Sequence, residues 1–231
     1  MIDWHSHVLP EMDDGSRGVD ESIAMLKALK EQGADCVIAT SHFYANDESV
    51  NEFLKRREKS YATLYERLTS DMPRIVCGAE VRYYPGIGRM PDLELLKIED
   101  TNLLLLEMPI IKWTEYTVKE LTQLSSTRNM TVILAHIERY LPMQCHDVWE
   151  RLLSSGILMQ VNSGFFNGIR NKNKALRLLA NGMIHFIGSD CHNMTTRAPN
   201  LGETYEFIER KFGEDFVYQM NEYGYSMLEH K

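Results

Sequence analysis

Gly33-Ala34-Asp35-Cys36-Val37-Ile38-Ala39-Thr40-Ser41-His42 contains in ten residues the pattern on which this chain is organised. Upstream of it, Val19–Gln32 places Ile23, Leu26 and Leu29 on one helical face, and Gly33 is a natural left-handed stop for that helix. Cys36–Thr40 is short, apolar and β-branched, which predicts a buried strand. A histidine follows directly. Outward in both directions the order recurs, with a short apolar run, a residue able to bind metal, then a stretch able to form a helix. Strands are expected near Ile2–Trp4, Cys36–Thr40, Ile75–Gly78, Leu103–Leu106, Thr131–Ala135, Leu158–Val161 and His185–Gly188. Further helices are expected over Ser49–Ser70, Tyr116–Arg128, Val148–Ser155, Lys174–Asn181, Asn200–Phe212 and Glu214–Tyr223. Such alternation folds as an α/β parallel sheet or barrel, in which every strand's C-terminal end opens on one face.

That face would gather the chemistry. His5 and His7 follow the first run, His42 the second, Glu80 the third, Glu107 the fourth and His136 the fifth, while Asp190 and His192 end the last. In His5-Ser6-His7 the period of two puts both imidazoles on one side of an extended chain. A pair of ordinary strand histidines is the bland alternative. It loses weight because so many strands end alike, and because Glu107 closes a run of leucines, where an unpaired carboxylate is costly to bury. His146, His185 and His230 fall elsewhere and are assigned surface or packing roles. The loop Val8–Ser16 after His7 is long for a simple connection and carries Asp13 and Asp14, as a functional loop would.

The totals narrow the class. With 231 residues and 44% hydrophobic content, one domain spanning 1–231 with a large core is expected. A net charge of −8 argues against a nucleic-acid surface. No apolar stretch is long enough to span a bilayer, and the first residues carry neither a basic head nor an apolar signal core, so no membrane insertion and a cytoplasmic location are expected. Cys36, Cys77, Cys145 and Cys191 are scattered, as reduced thiols would be.

The motifs Asp3-Trp4-His5-Ser6-His7, Asp13-Asp14-Gly15, Thr40-Ser41-His42, Gly78-Ala79-Glu80, Ala135-His136-Ile137-Glu138-Arg139-Tyr140 and Ser189-Asp190-Cys191-His192 together resemble the polymerase and histidinol phosphatase (PHP) superfamily. More closely, residue 1 to about Leu201 resembles its bacterial protein-tyrosine phosphatases of capsule and exopolysaccharide operons. The resemblance implies a distorted (β/α)7 TIM-like barrel of PHP type. It also implies a trinuclear phosphatase site, usually manganese-dependent, with Fe or Zn as other occupants. Carried over by motif, His5, His7, Glu80 and Asp190 would hold one ion. Glu80, Glu107 and His136 would hold a second, with Glu80 bridging, and Asp14, His42 and His192 a third. The partner implied is a phosphotyrosine protein, an autophosphorylated bacterial tyrosine kinase controlling polysaccharide export. Ile137 stands where the family often has Pro, and Cys191 where a small residue is usual; neither removes a ligand.

Arg139 lies three residues after His136 and Arg197 five after His192. Arginine stays charged and grips phosphate with two prongs, so both are candidate catalytic phosphate ligands rather than ordinary solvated arginines. Neighbouring ions would lower the pKa of a bridging water until hydroxide forms near neutral pH and attacks phosphorus. Phenolate, with a pKa of about 10, leaves more easily than an alkoxide, which favours phosphotyrosine. Two rivals remain. One is a small-molecule phosphoesterase of the same fold, such as a histidinol phosphatase. The other is cysteine catalysis, since Cys145 to Arg151 and Cys191 to Arg197 both have the six-residue spacing of a cysteine phosphatase loop. The spacer after Cys145 is bulky and acidic where backbone amides should face an anion, the spacer after Cys191 lacks glycine, and Asp190 beside Cys191 disfavours a thiolate.

Overall fold

A computed structural model describes residues 1–229; His230 lies outside the described residues. Every expected strand forms: β1 (Ile2–Ser6), β2 (Cys36–Ala39), β4 (Arg74–Cys77), β6 (Leu103–Glu107), β7 (Thr131–Leu134), β8 (Leu158–Asn162) and β9 (Phe186–Gly188). Two short ones were not expected, β3 (His42–Phe43) and β5 (Glu80–Arg82). They continue β2 and β4 beyond breaks at Thr40-Ser41 and Gly78-Ala79. All pairings are parallel, in the orders β1-β2-β4 and β3-β5-β6-β7-β8-β9. Counting β2 with β3 and β4 with β5, the barrel has the seven staves expected. Between β4 and β6 the Ile98-Glu99 segment intervenes, bonding Leu103 O on one side and Cys77 O on the other. At the seam, Asp190 N–H donates to His5 O (2.7 Å) and His7 N–H to Cys191 O (2.9 Å). The parallel barrel is thus distorted, as the resemblance implies.

Alternation sorts the side chains. Ile2, Trp4, Cys36, Ile38, Leu103, Leu105, Ile133, Ala135, Leu158 and Phe186 form one buried cluster, within the barrel. Val37, Leu104, Leu106, Val132, Leu134, Met159, Val161 and Ile187 join the larger cluster beneath the helices. The parity that places Leu103 and Leu105 inside brings Glu107 inside at the rim, and the same holds for Leu158-Gln160-Asn162 and Phe186-Gly188-Asp190. On β1 the register slips between Asp3 and Ser6. This bulge resets the parity after Trp4, so that His5 and His7 join the interior face.

The helices are α1 (Val19–Glu31), α2 (Val50–Tyr65), α3 (Glu115–Arg128), α4 (His146–Ser154), α5 (Ile169–Ala180), α6 (Leu201–Phe212) and α7 (Glu214–Glu229). Helix α2 starts at a Ser49–Glu52 capping box and ends five residues before the expected Ser70, where Arg67 N and Leu68 N tighten onto Leu64 O and Tyr65 O. Helix α5 begins before the expected Lys174, because its first turn is solvent-exposed and carries no apolar period. Helix α7 runs past the expected Tyr223. Gly224 lets it approach Ile2 and Trp4, and Tyr225, Met227 and Leu228 pack on the barrel cluster. No α-helix follows β5. Pro85 and Pro91 interrupt that connection, and two short 3-10 turns, Ile87–Arg89 and Leu93–Leu96, replace it.

Candidate metal centre

The nine residues expected to bind metal converge at the C-terminal ends of the staves. Their donor atoms fall into four overlapping groups, each with its atoms within 4.8 Å of one another: His7, Asp14, His42, His192; His5, His7, Asp190; His5, Glu80, His136; and His42, Glu80, Glu107. Glu80 is the hub. Its Oε1 lies 2.7 Å from His136 Nε2, and its Oε2 lies 3.0 Å from His42 Nδ1, 3.2 Å from His5 Nε2 and 3.4 Å from His7 Nε2. Asp190 Oδ1 lies 3.6 and 3.5 Å from the Nε2 atoms of His5 and His7. Asp14, the most exposed of the set at 66%, reaches His42 and His192 at 3.5 and 3.4 Å. Glu107 Oε1 is 3.7 Å from His136 Nε2.

Outer contacts decide which ring nitrogen is free. Asp13 can only accept, so His7 Nδ1 donates to its Oδ2 (2.8 Å) and Nε2 presents its lone pair to the cluster. His192 Nδ1 donates to the Asp190 carbonyl (2.9 Å), and its buried Nε2 has no hydrogen-bond partner. His5 Nδ1 faces Gln160 Oε1 (3.4 Å), leaving its Nε2 3.2 Å from that of His7. His42 Nδ1 is likewise buried without a hydrogen-bond partner. Lone pairs directed at one another among carboxylates are the arrangement that a shared cation satisfies, and the imidazole and carboxylate donors suit manganese, iron or zinc.

The electrostatics agree. Burial would raise the Glu80 and Asp190 carboxyls, but the histidines around them outweigh it and hold both well below the usual carboxylate range. Burial would lower His7, yet Asp13, Asp190 and Glu80 push it well up, so the carboxylates favour a positive charge at this ring, carried either by a second proton or by a cation bound to the Nε2 of the neutral ring. His192 is lowered to about 4 by burial and by His7, and burial also lowers His136, which keeps both rings neutral, as a ligand must be.

Two backbone positions in the site are strained. His136 (φ 35°) and Asp190 (φ 52°) adopt left-handed conformations that non-glycine residues seldom take. Gly188 allows the close seam between β9 and β1, since a Cβ there would stand 2.5 Å from His5 Cβ and 2.7 Å from His5 N. Asp3 ties the same seam by accepting from Ser189 N and Oγ at 2.7 and 2.5 Å.

Arg139 and Arg197 both stand at this rim. Arg139 Nη2 donates to Asp190 Oδ2 at 2.9 Å, Arg197 Nη2 pairs with the same oxygen at 2.8 Å, and Asn162 Nδ2 donates to it at 2.7 Å. Sequence reading did not single out Asp13, Arg82, Tyr140, Gln160 or Asn162 as site residues. Arg82 donates to Glu107 Oε2 (2.6 Å), and the Tyr140 hydroxyl meets His136 Nδ1 (3.0 Å). The parity of Leu158-Gln160-Asn162 was the available signal for two of them, and the adjacency of Asp13 to Asp14 for a third.

Cysteine catalysis does not fit this geometry. Cys191 is fully buried, and burial raises its thiol far above the range of a nucleophile. Cys145 is exposed at the start of α4, where His146, Asp147 and Glu150 form an acidic surface group that shares no residue with the nine donors. His185 is half-buried at the start of β9, where its Nδ1 accepts from Met159 N–H (3.1 Å), a packing role as expected.

Fold and site together define a class: a parallel α/β barrel with candidate metal-binding groups at the C-terminal ends of its strands. Within that class the chain belongs to the CpsB/CapC family of capsular polysaccharide synthesis, whose model matches residues 1–224. It is 31% identical to the tyrosine-protein phosphatase YwqE of Bacillus subtilis, over 96% of this chain and 89% of the relative. It is 30% identical to the tyrosine-protein phosphatase CpsB of Streptococcus pneumoniae, over 92% of this chain and 91% of the relative. Among solved structures, one from a study of YwqE from B. subtilis and CpsB from S. pneumoniae, described as unique metal-dependent tyrosine phosphatases, superposes with a TM-score of 0.77 at 27% identity. The match covers 100% of this chain and 96% of that one. A chain of archaeal ribonuclease P, 13% identical with a TM-score of 0.62, shares the fold alone.

Proposed function

We propose that this chain is a metal-dependent protein-tyrosine phosphatase, a phosphoric monoester hydrolase acting on phosphotyrosine. One observation carries the reading: nine buried or rim donor residues meet, with His42 Nδ1 and His192 Nε2 buried among them without a hydrogen-bond partner, and guanidinium groups border them. In this reading His5, His7, Glu80 and Asp190 hold one divalent ion. Glu80, Glu107 and His136 hold a second, and Asp14, His42 and His192 a third. Manganese is the best occupant, with iron or zinc able to replace it. When bound, such ions supply Lewis-acid charge and an acidified water that is nucleophilic near neutral pH.

The chain's own groups do the rest. Arg139 and Arg197, at present paired with Asp190, turn one prong each to the phosphoryl oxygens and stabilise the charge that builds there. Asp13, Gln160 and Tyr140 hold the imidazoles in place. Phenolate leaves without a strong general acid. The substrate protein is a bacterial tyrosine autokinase that governs polysaccharide synthesis, in keeping with the family's description, and the enzyme acts in the cytoplasm as one domain over 1–231. Among the described residues no helix is long and apolar enough to cross a membrane.

A substrate panel tests the reading. Purified protein with added manganese should show a higher kcat/KM on phosphotyrosine peptides than on histidinol phosphate or phosphoserine peptides. Turnover of histidinol phosphate far above that of the phosphotyrosine peptides would assign the site to small-molecule chemistry instead.

A further inference from the structure

A cavity of about 530 Å³ opens beside the candidate metal centre, larger than four others of about 290 to 370 Å³ elsewhere on the surface. Its walls include Tyr44, Arg82, Tyr84, Pro109, Ile111 and Tyr116. Two of these also touch the donor cluster. The Tyr44 ring stacks on His42, with centroids 5.3 Å apart, and Arg82 pairs with Glu107. The cavity therefore adjoins the centre, with the Arg82–Glu107 pair and the Tyr44 ring where the two meet.

Its outer wall presents apolar side chains that the fold does not bury. Ile111 is 59% exposed and Tyr116 53%. These side chains do not belong to a slack loop. Gln144 donates to Ile111 O (2.7 Å) and accepts from Trp113 N–H (3.0 Å), while Trp113 Nε1 donates to Pro109 O (3.1 Å). A contiguous apolar surface held rigidly beside a charged centre marks a binding site.

We infer that this cavity holds the peptide segment flanking the phosphotyrosine, with an apolar side chain of that segment against Ile111 and Tyr116. The inference rests on the phosphatase reading above. With the phosphoryl group at the donor cluster, the phenol ring passes between Arg82 and Tyr44, and the adjoining residue enters the cavity. The chemistry of the walls fits this direction, because Arg82, paired with the donor Glu107, marks the inner end and the wall is uncharged at Ile111 and Pro109. A free aryl phosphate reaches only the inner end, so the outer wall discriminates peptide from small molecule.

The test compares wild-type protein with the double variant Ile111→Ser, Tyr116→Ser. Both side chains are mostly exposed, so the fold should tolerate the change. The substrates are a phosphotyrosine peptide with leucines beside the phosphotyrosine, and p-nitrophenyl phosphate. The ratio of kcat/KM for the peptide to that for p-nitrophenyl phosphate should fall about tenfold, through KM, the scale on which lost apolar pocket contacts act. A fall smaller than about threefold overturns the inference. A variant that loses self-association in sedimentation while keeping the ratio assigns the cavity to a second copy of the chain, which also overturns it. Wild-type protein inactive on the peptide with manganese overturns the phosphatase reading itself, a result distinct from an unchanged ratio.

Discussion

His7 shows how much of a metal site lies outside its ligands. Its Nδ1–H is taken by Asp13, whose carboxylate also accepts from His42 N–H (2.8 Å) and Gly15 N–H (2.9 Å). One carboxylate thus sets the tautomer of one candidate ligand and the backbone position of another. Asp13→Asn can still reach these partners but no longer supports the imidazole with a charge. Metal affinity should fall by about 10–100-fold, the range for lost outer-shell carboxylates, as read by titration of chelated protein with manganese. Unchanged affinity would show that Asp13 merely shapes its loop. Arg139 and Arg197 make a contrasting case, since each is placed to stabilise phosphate rather than bind metal. Replacement of either by Ala should lower kcat/KM on a phosphotyrosine peptide by about a hundredfold. Metal content should stay the same, and Lys should rescue poorly because it lacks the planar fork. Near-normal kcat/KM in both alanine variants would return these arginines to the solvated surface.

At the scale of elements, the seam between β1 and β9 is where the site depends most on the fold. Gly188 has no Cβ to collide with His5, and this lets β9 bring Asp190 and His192 against His5 and His7. Gly188→Ala should push the two staves apart. Overpacking of this kind costs about 1–3 kcal/mol, read as a lower midpoint in urea, and activity should fall further than stability because the donors separate. A variant with wild-type midpoint and activity would mean that the seam yields freely. The same elements explain what sequence could and could not reveal. Glu107 was legible because it continues the inward parity of Leu103 and Leu105, and His5 and His7 because they share one side. The bulge that turns them inward was not legible, since slippage in register leaves no mark on composition. Nor were β3 and β5, too short to carry a period. Arg82 and Gln160 escaped notice because each works through a partner distant in sequence, Glu107 and His5. The early stop of α2 lies in a local tightening onto Leu64 O and Tyr65 O, and the long α7 depends on tertiary contact at Gly224, neither of which propensity reports.

For the whole molecule, the central claim is that seven staves converge so that residues from 5 to 192 jointly hold divalent ions for phosphate chemistry. Unpaired imidazole nitrogens and packed carboxylates then cost stability until a cation arrives, so ions should stabilise the folded chain by mass action, about 2.7 kcal/mol at a concentration of 100 Kd. The most direct measurement is kcat/KM on a phosphotyrosine peptide before chelation, after exhaustive chelation and after manganese is restored, with metal per chain determined on the same samples. The expected result is more than one ion per chain in the active protein, activity lost together with the metal, and recovery best with manganese. Full activity in protein shown to be free of metal would contradict the account.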